Sequence, residues 1–248
     1  MLAASFFMQL KNIKFNHRQI QAYLRDAVDE SVAAEIFQWR EYRSAEPIII
    51  AAAMILDVGA HIGLFSLYCR ALNPRAKICA LEPEPENFKV LSENFKINKI
   101  NGSRLAAALG ATTSARELYL APDNHNHYLL PPDSQAHQTA IKVRAQRLSD
   151  VAKQLRLKKI DLVKMDIEGG EYEIIFNLSP AEFSLVGAWL IEYHDAKSGR
   201  YRLLEKILRE NGCTVQIFPS RFDKSMGFIL ARNKRPIPGV KRGLALTD

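Results

Sequence analysis

The segment that most constrains this chain is Asp57-Val58-Gly59-Ala60-His61-Ile62-Gly63, which closes an apolar run over Ile48 to Asp57 and opens a helical pattern at Gly63. A continuous apolar run suits a strand buried on both faces, the kind found in a parallel sheet covered by helices. Glycines at the turn permit tight backbone paths and close approach of a ligand. The N-terminus of the next helix offers unpaired N–H groups to an anion. This short stretch therefore predicts an open α/β sheet with a ligand site beyond the carboxyl end of its first strand.

The rest of the chain keeps that alternation. Gly63 to Leu72 reads as a helix closed by Asn73 and Pro74, Lys77 to Leu81 as a strand, Pro85 to Ile97 as a helix and Arg104 to Leu109 as a third strand. Ile160 to Met165 and Ala188 to Tyr193 are two more strands, separated by a helical stretch over Glu171 to Leu178. Strands alternating with helices imply right-handed crossovers and a mostly parallel sheet. The helix Tyr201 to Asn211 stops at Gly212, and Thr214 to Phe218 and Gly227 to Ala231 follow as an antiparallel hairpin. A seven-stranded sheet ending in such a hairpin is a class I methyltransferase feature that ordinary dinucleotide-binding folds lack.

Two segments stand outside the alternation. From His17 to Arg43, the residues Ile20, Leu24, Ala27, Val28, Val32, Ile36 and Phe37 recur at helical spacing, which predicts an N-terminal helical appendage over 1–46. Between Gly110 and Ala145 the chain is polar and rich in Pro, Asn and His, with strand-like patches at Glu117 to Leu120 and Ile141 to Val143. It reads as an inserted hairpin or lid within a main domain over 47–232. The tail over 233–248 reads as a surface extension.

Composition narrows the classes. With 248 residues, 48% hydrophobic and 25% charged, the chain has room for one main domain and little more. The run from Pro47 to Leu56 is too short for a membrane-spanning helix, which needs ~20 residues. The opening MLAASFFMQL lacks a basic start, so a cytoplasmic location is expected. Cys69, Cys79 and Cys213 form no CxxC pair, which argues for buried thiols over a disulfide framework or a zinc ribbon. The net charge of +7 favours an anionic partner, yet the bases are dispersed with no run of five, so no nucleic-acid partner is expected.

The cofactor residues follow from the turn. Its glycines are four apart with an acid two before the first, unlike the GxGxxG that a nicotinamide cofactor needs for its pyrophosphate. The segment Asp57, Val58, Gly59, Ala60 and Gly63 suits the methionine end of S-adenosylmethionine: helix N–H groups for the carboxylate, and Asp57 for the amino group. Glu82, followed by Pro83, ends the second strand, where a carboxylate can accept both ribose hydroxyls. Ala107 and Ala108, small and apolar at the third strand's end, suit an adenine face.

EIFQWREY (Glu35 to Tyr42), DVGAHIGLFS (Asp57 to Ser66), LEPEPENFKVLSENFKIN (Leu81 to Asn98) and above all DLVKMDIEGGEYEII (Asp161 to Ile175) resemble the FkbM-type methyltransferases, from about Glu35 to Arg232. The resemblance implies a Rossmann-like class I fold, S-adenosylmethionine as methyl donor and, usually, a hydroxyl acceptor on a small molecule or glycan. One residue departs from the pattern: the family's turn commonly reads DVGANIG, and this chain has His61.

Methyl transfer from a sulfonium is an in-line displacement, and a hydroxyl acceptor also needs a place for its proton. Asp166, Glu168 and Glu171 follow the fourth strand, and Glu192, His194 and Asp195 the fifth, so all should converge beyond the strand ends. His194 is the preferred general base, because an imidazole near its ordinary pKa accepts a proton at neutral pH. Asp166 would position the acceptor or the sulfonium, Glu168 is the third candidate, and Glu171 also fits a helix N-terminus. A divalent metal on Asp166, Glu192 and His194 is not required by the resemblance, and no metal is expected. His125, His127 and His137 lie in a polar loop without cysteine and read as solvated or substrate-facing. Two competing functions stay open: a non-catalytic module that binds S-adenosylmethionine, and a nicotinamide-dependent oxidoreductase.

Overall fold

A computed structural model describes residues 8–120 and 139–234. The chain opens with an antiparallel hairpin of β1 (Gln9–Phe15) and β2 (Arg18–Leu24), followed by α1 (Ala27–Phe37), a 3-10 turn over Glu41–Ala45 and α2 (Glu46–Ala51). The core then runs β3 (Met54–Val58), α3 (Leu64–Leu72), β4 (Lys77–Leu81), α4 (Pro85–Ile97) and β5 (Gly102–Leu105). A small sheet of β6 (Ala108–Leu109), β7 (Ser114–Tyr119) and β8 (Ala140–Gln146) interrupts it. It resumes with α5 (Leu148–Leu155), β9 (Leu162–Met165), α6 (Glu171–Asn177), α7 (Pro180–Leu185), β10 (Ala188–Tyr193), α8 (Tyr201–Glu210), β11 (Cys213–Pro219) and β12 (Gly227–Asn233).

The seven-stranded sheet has the order β5-β4-β3-β9-β10-β12-β11, and only β12 runs against the others. Successive side chains of a strand point to opposite faces, and here they enter two different cores. Ile55, Ile78, Ala80, Leu162 and Leu190 pack with α1, α3 and α4. Leu56, Val58, Cys79, Leu81, Val163, Met165, Trp189 and Ile191 pack with α5, α6, α7 and α8. The central strands β3, β9 and β10 are apolar except for Asp57, Lys164 and Glu192, because both faces are covered. This is the Rossmann-like class I methyltransferase sheet, and the order reverses between β3 and β9, the switch point where ligands of such sheets bind.

Three expectations need correction. The N-terminal segment starts as a hairpin and not as a helix: Ile20, Ala22 and Leu24 are buried at a period of two, and Asn16 and His17 make the turn with φ of 45° and 60°. Two positive φ values in a two-residue loop match the twist of a hairpin. Ile20 and Leu24 satisfy both periods, and that ambiguity misled the helical reading. In the second case, the Ile48 to Asp57 run is split, since Pro47 sits in the first turn of α2, where its missing N–H costs nothing, and the strand begins only at Met54. In the third, Arg104 to Leu109 is not one strand: β5 ends at Leu105, and Ala108 and Leu109 pair instead with β8.

The arms of the expected insert, β7 and β8, pair antiparallel from Ser114↔Ala145 to Tyr119↔Ala140. His125, His127 and His137, and the tail beyond residue 234, lie outside the described residues. No helix among the described residues is long and apolar enough to cross a membrane.

Candidate active site

The carboxyl ends of β3, β4, β9 and β10 open onto a cavity of about 440 Å³. Gly59, Ala60, Glu82, Pro83, Asn87 and Ala108 border one end, and Asp166, Glu168, Glu192 and His194 the other. Val28, Val32 and Ile36 of α1, with Glu41 and Tyr42, close a side of it. Asp57, Val58, Gly63 and Ala107 are not on its lining.

The turn after β3 is tied down by its own surroundings. Gly59 and Ala60 donate their N–H groups to the Leu81 carbonyl at 3.1 and 3.0 Å, Gly63 donates to Ala60 at 2.8 Å, and His61 donates to Glu82 Oε2 at 2.7 Å. The glycines have reasons inside the protein as well. A Cβ on Gly59 (φ +69°) would lie 1.9 Å from the Asp166 carbonyl oxygen, and one on Gly63 (φ +90°) would lie 2.6 Å from Leu91 Cδ1. Sequence reasoning gave both to ligand approach; the structure shows each passing close to another part of the chain. An anion at this end meets the first turn of α3, whose Leu64 and Phe65 border the cavity.

Glu82 is buried and accepts the N–H groups of Glu84 at 2.9 Å and His61 at 2.7 Å, one on each oxygen. Burial pushes its carboxyl up to about 7, opposed by those donors and by the Asn87 side chain. A carboxylate offers about four acceptor positions, so both oxygens retain capacity for hydroxyl donors from the cavity. This fits a ribose diol, and Ala108 and Pro83 leave apolar surface beside it.

Asp57 turns into the protein. It takes the Ser66 hydroxyl on Oδ2 at 2.6 Å, and Oδ1, 4.0 Å from Lys164 Nζ, has no hydrogen-bond partner among the described residues. Lys164 escaped the sequence reading, although a lysine inside an apolar buried strand is a signal, since such residues are rarely buried unpaired. Its ammonium donates to the Gly59 carbonyl and to Asp166 Oδ2, both at 3.1 Å. Burial would lower its pKa, but Asp166, Asp57 and Glu192 hold it up at about 12.

At the other end His194 Nε2 stands 3.7 Å from both Asp166 Oδ1 and Glu168 Oε2. Its side chain is 33% exposed. Burial works against its charge, yet the neighbouring carboxylates of Asp166 and Glu168 raise it to about 9. The imidazole therefore lies above the ordinary value from which a neutral general base was expected, in the direction that favours its cation. Burial would raise Asp166 too, but Lys164 and His194 hold it well below the usual carboxylate range. Glu168, with φ of 55°, is pushed up to about 7 by burial and by Asp166. Burial and the Asp166 charge push the Glu192 carboxyl well above the usual carboxylate range.

Glu171 and Asp195 are occupied elsewhere: Glu171 accepts the Ile167 N–H at 2.7 Å at the start of α6, and Asp195 accepts the Tyr172 hydroxyl. Among the described residues, Asp166, Glu192 and His194 offer ligand atoms within 4.8 Å of one another, a set able to hold a divalent cation. The Lys164 ammonium already brings positive charge to Asp166 there.

The methyltransferase FkbM domain model matches residues 57–217. The chain belongs to the FkbM methyltransferase family. It is 31% identical over 191 residues to methyltransferase sdnD of Sordaria araneosa, covering 65% of this chain and 73% of that one. It is 25% identical to the 31-O-demethyl-FK506 methyltransferase FkbM of Streptomyces tacrolimicus, over 73% and 80% of the two chains. With the hexuronic acid methyltransferase AglP of Haloferax volcanii it shares 22% identity over 81% and 82%. Among solved structures, the METTL16 MTase domain superposes with a TM-score of 0.53 at 14% identity, covering 94% of this chain and 76% of that one. The Methanococcus jannaschii fibrillarin pre-rRNA processing protein does so with 0.52 at 14%, covering 91% and 83%. These two likenesses concern the fold alone. This FkbM-family protein is a methyltransferase, and S-adenosylmethionine is its methyl donor.

Proposed function

We propose that this methyltransferase acts on a hydroxyl group of a small molecule or a sugar, with Glu168, His194 and Asp166 handling the acceptor. The observation that carries this reading is the division of one cavity: a buried ribose-type acceptor, Glu82, at one end and an acid–histidine cluster at the other. Two relatives carry names that specify 31-O-demethyl-FK506 and a hexuronic acid, which supports hydroxyl-bearing acceptors.

When bound, S-adenosylmethionine supplies an electrophilic methyl group on sulfur, and the rate then depends on holding the acceptor oxygen in line with it. Glu82 would hold the ribose hydroxyls, Ala108 and Pro83 would lie against the base, and the first turn of α3 would take the methionine carboxylate. Asp57 acts from below the site, through Ser66 and Lys164. Lys164 fixes Asp166, and Asp166 with His194 orients the acceptor hydroxyl. Its proton goes to Glu168, whose pKa of about 7 lies near the working pH, as a general base requires. The imidazolium of His194 keeps that carboxylate ionisable between two other acids.

The test incubates the protein with methyl-labelled cofactor and a panel of hydroxylated acceptors: macrocyclic and other polyketide alcohols, uronic acids, free sugars, and amines and RNA as contrasts. Label should appear on an alcohol, with release of S-adenosylhomocysteine. Label on amines or RNA alone would overturn the assignment, and cofactor retained without any transfer would point to a binding module.

A further inference from the structure

The Arg25 side chain makes four polar contacts that the reaction does not explain. It lies between β2 and α1, ahead of the residues 57–217 that match the family, and is 2% exposed. Its guanidinium pairs with Asp29 through Nε and NH2 at 3.0 and 3.1 Å. NH1 donates to Asn87 Oδ1 at 2.6 Å, and NH2 lies 2.7 Å from His61 Nε2. An arginine has no acceptor, so this His61 nitrogen accepts and the imidazole proton sits on Nδ1. A buried ion pair does not stabilise a fold by its charges alone, because desolvation offsets the attraction. What this pair does have is two partners that meet again at Glu82. His61 donates its backbone N–H to Glu82 Oε2. Asn87, with its oxygen turned to Arg25, lines the cavity beside Glu82 and favours the charged form of that carboxylate.

We infer that Arg25 is a positioning residue for the cofactor's ribose: it orients His61, whose N–H is one of the two backbone donors on Glu82, and Asn87 beside that carboxylate. The N-terminal hairpin and α1 are thus a working part of the nucleoside site. This rests on the reading of Glu82 as the ribose acceptor. It also gives His61 a reason to stand where the family commonly has asparagine: an imidazole places an acceptor at the end of a longer side chain, within reach of Arg25. Asp29, fixed in the first turn of α1 with its N–H on the Asp26 cap, holds the guanidinium in register.

The experiment measures binding of S-adenosylhomocysteine and of its 2′-deoxy and 3′-deoxy analogues by calorimetry, for the parent, Glu82→Gln, Arg25→Met and Asn87→Ala. The ratio of analogue to parent-ligand dissociation constants reads how well the ribose site is set. In the parent the ratio should be about tenfold or more for at least one hydroxyl, the usual scale for a hydrogen bond to a charged group. Arg25→Met should weaken S-adenosylhomocysteine about tenfold and bring the ratio close to one. An Arg25→Met protein that is folded by near-ultraviolet dichroism and keeps the parent's ratio overturns the inference. Should Arg25→Met not fold, Asn87→Ala decides in its place, an unchanged ratio counting against the proposal and a collapsed one for it. Glu82→Gln separates the two levels: if it keeps the parent's ratio, the ribose assignment itself fails, whereas a ratio lost in Glu82→Gln and kept in Arg25→Met refutes only the role of Arg25.

Discussion

Replacing His194 with glutamine separates two readings of the acceptor site. With its pKa raised to about 9, only about one His194 in a hundred is neutral at pH 7. If the neutral imidazole removed the acceptor proton, kcat/KM of the parent would climb about fiftyfold between pH 7 and pH 9. With Glu168 as the base, half the plateau is reached near pH 7, and activity at pH 5 is about a hundredth of it. The same charge sets what the substitution does. Between unit charges 3.7 Å apart, the attraction is about 1 to 4 kcal/mol at effective dielectric constants of about 80 to 20. His194 is a third exposed, which places the value near the lower end, so loss of the cation should raise the Glu168 pKa by about one unit.

For His194→Gln we therefore expect a pH profile whose acidic limb moves upward by about one unit, with a plateau at pH 9 within about tenfold of the parent. Cofactor affinity should stay nearly intact, since Glu82 and the β3 turn are at the other end of the cavity. Glu168→Gln should instead lose about 10²–10⁴-fold at every pH. The assay is kcat/KM from pH 5 to 10 by S-adenosylhomocysteine release. A parent profile that rises through pH 9, and a His194→Gln plateau lost altogether, would refute the argument and return the base role to the histidine.

Glu82→Gln should weaken cofactor binding at least tenfold and abolish a pH dependence in which parent affinity drops about tenfold per unit below pH 7. The same group affects stability. The folded protein keeps a proton that the unfolded chain releases above about pH 4.5, so this contribution is full below that pH and is lost as pH rises through 7. Its size is about 3 kcal/mol, and denaturant titrations of Glu82→Gln should lack that slope. Gly63→Val places its Cβ against Leu91 at a left-handed φ, so it should lower the unfolding midpoint by separating α3 from α4; a mutant as stable as the parent that merely fails to bind cofactor would contradict this. Lys164→Met leaves Asp57 buried without its cation and should cost about 3 kcal/mol or more in chemical denaturation, an unchanged midpoint being the contrary result.

Legibility from sequence followed physical necessity. The strands Lys77–Leu81 and Ala188–Tyr193 and the helix Pro85–Ile97 appear with the bounds their apolar runs and proline imply, because burial on two faces leaves one solution. The hairpin Gln9–Leu24 did not, because Ile20 and Leu24 fit a period of two and of 3.6 alike, and only Ala22, small and uninformative alone, breaks the tie. The site's residue types were legible as strand-end acids, but their protonation was not. A raised His194 and a lowered Asp166 depend on Lys164 and on distances that no spacing reveals. Arg25 was invisible for the same reason: its partners are 36 and 62 positions away.

The two halves of the cavity are one mechanical unit, as the proposed in-line transfer requires. The β3 turn and the end of β9 meet without room for a methyl group, since Gly59 passes under the Asp166 carbonyl. Lys164 then ties the same two points together, with one hydrogen bond on the Gly59 carbonyl and another on the Asp166 carboxylate. A shift of the nucleoside end relative to the acid cluster would have to break both contacts inside a buried strand pair. Misplacement of a reacting group by about 1 Å can cost about a hundredfold in rate. The switch point between β3 and β9 is therefore where rigidity has the largest effect on the proposed transfer.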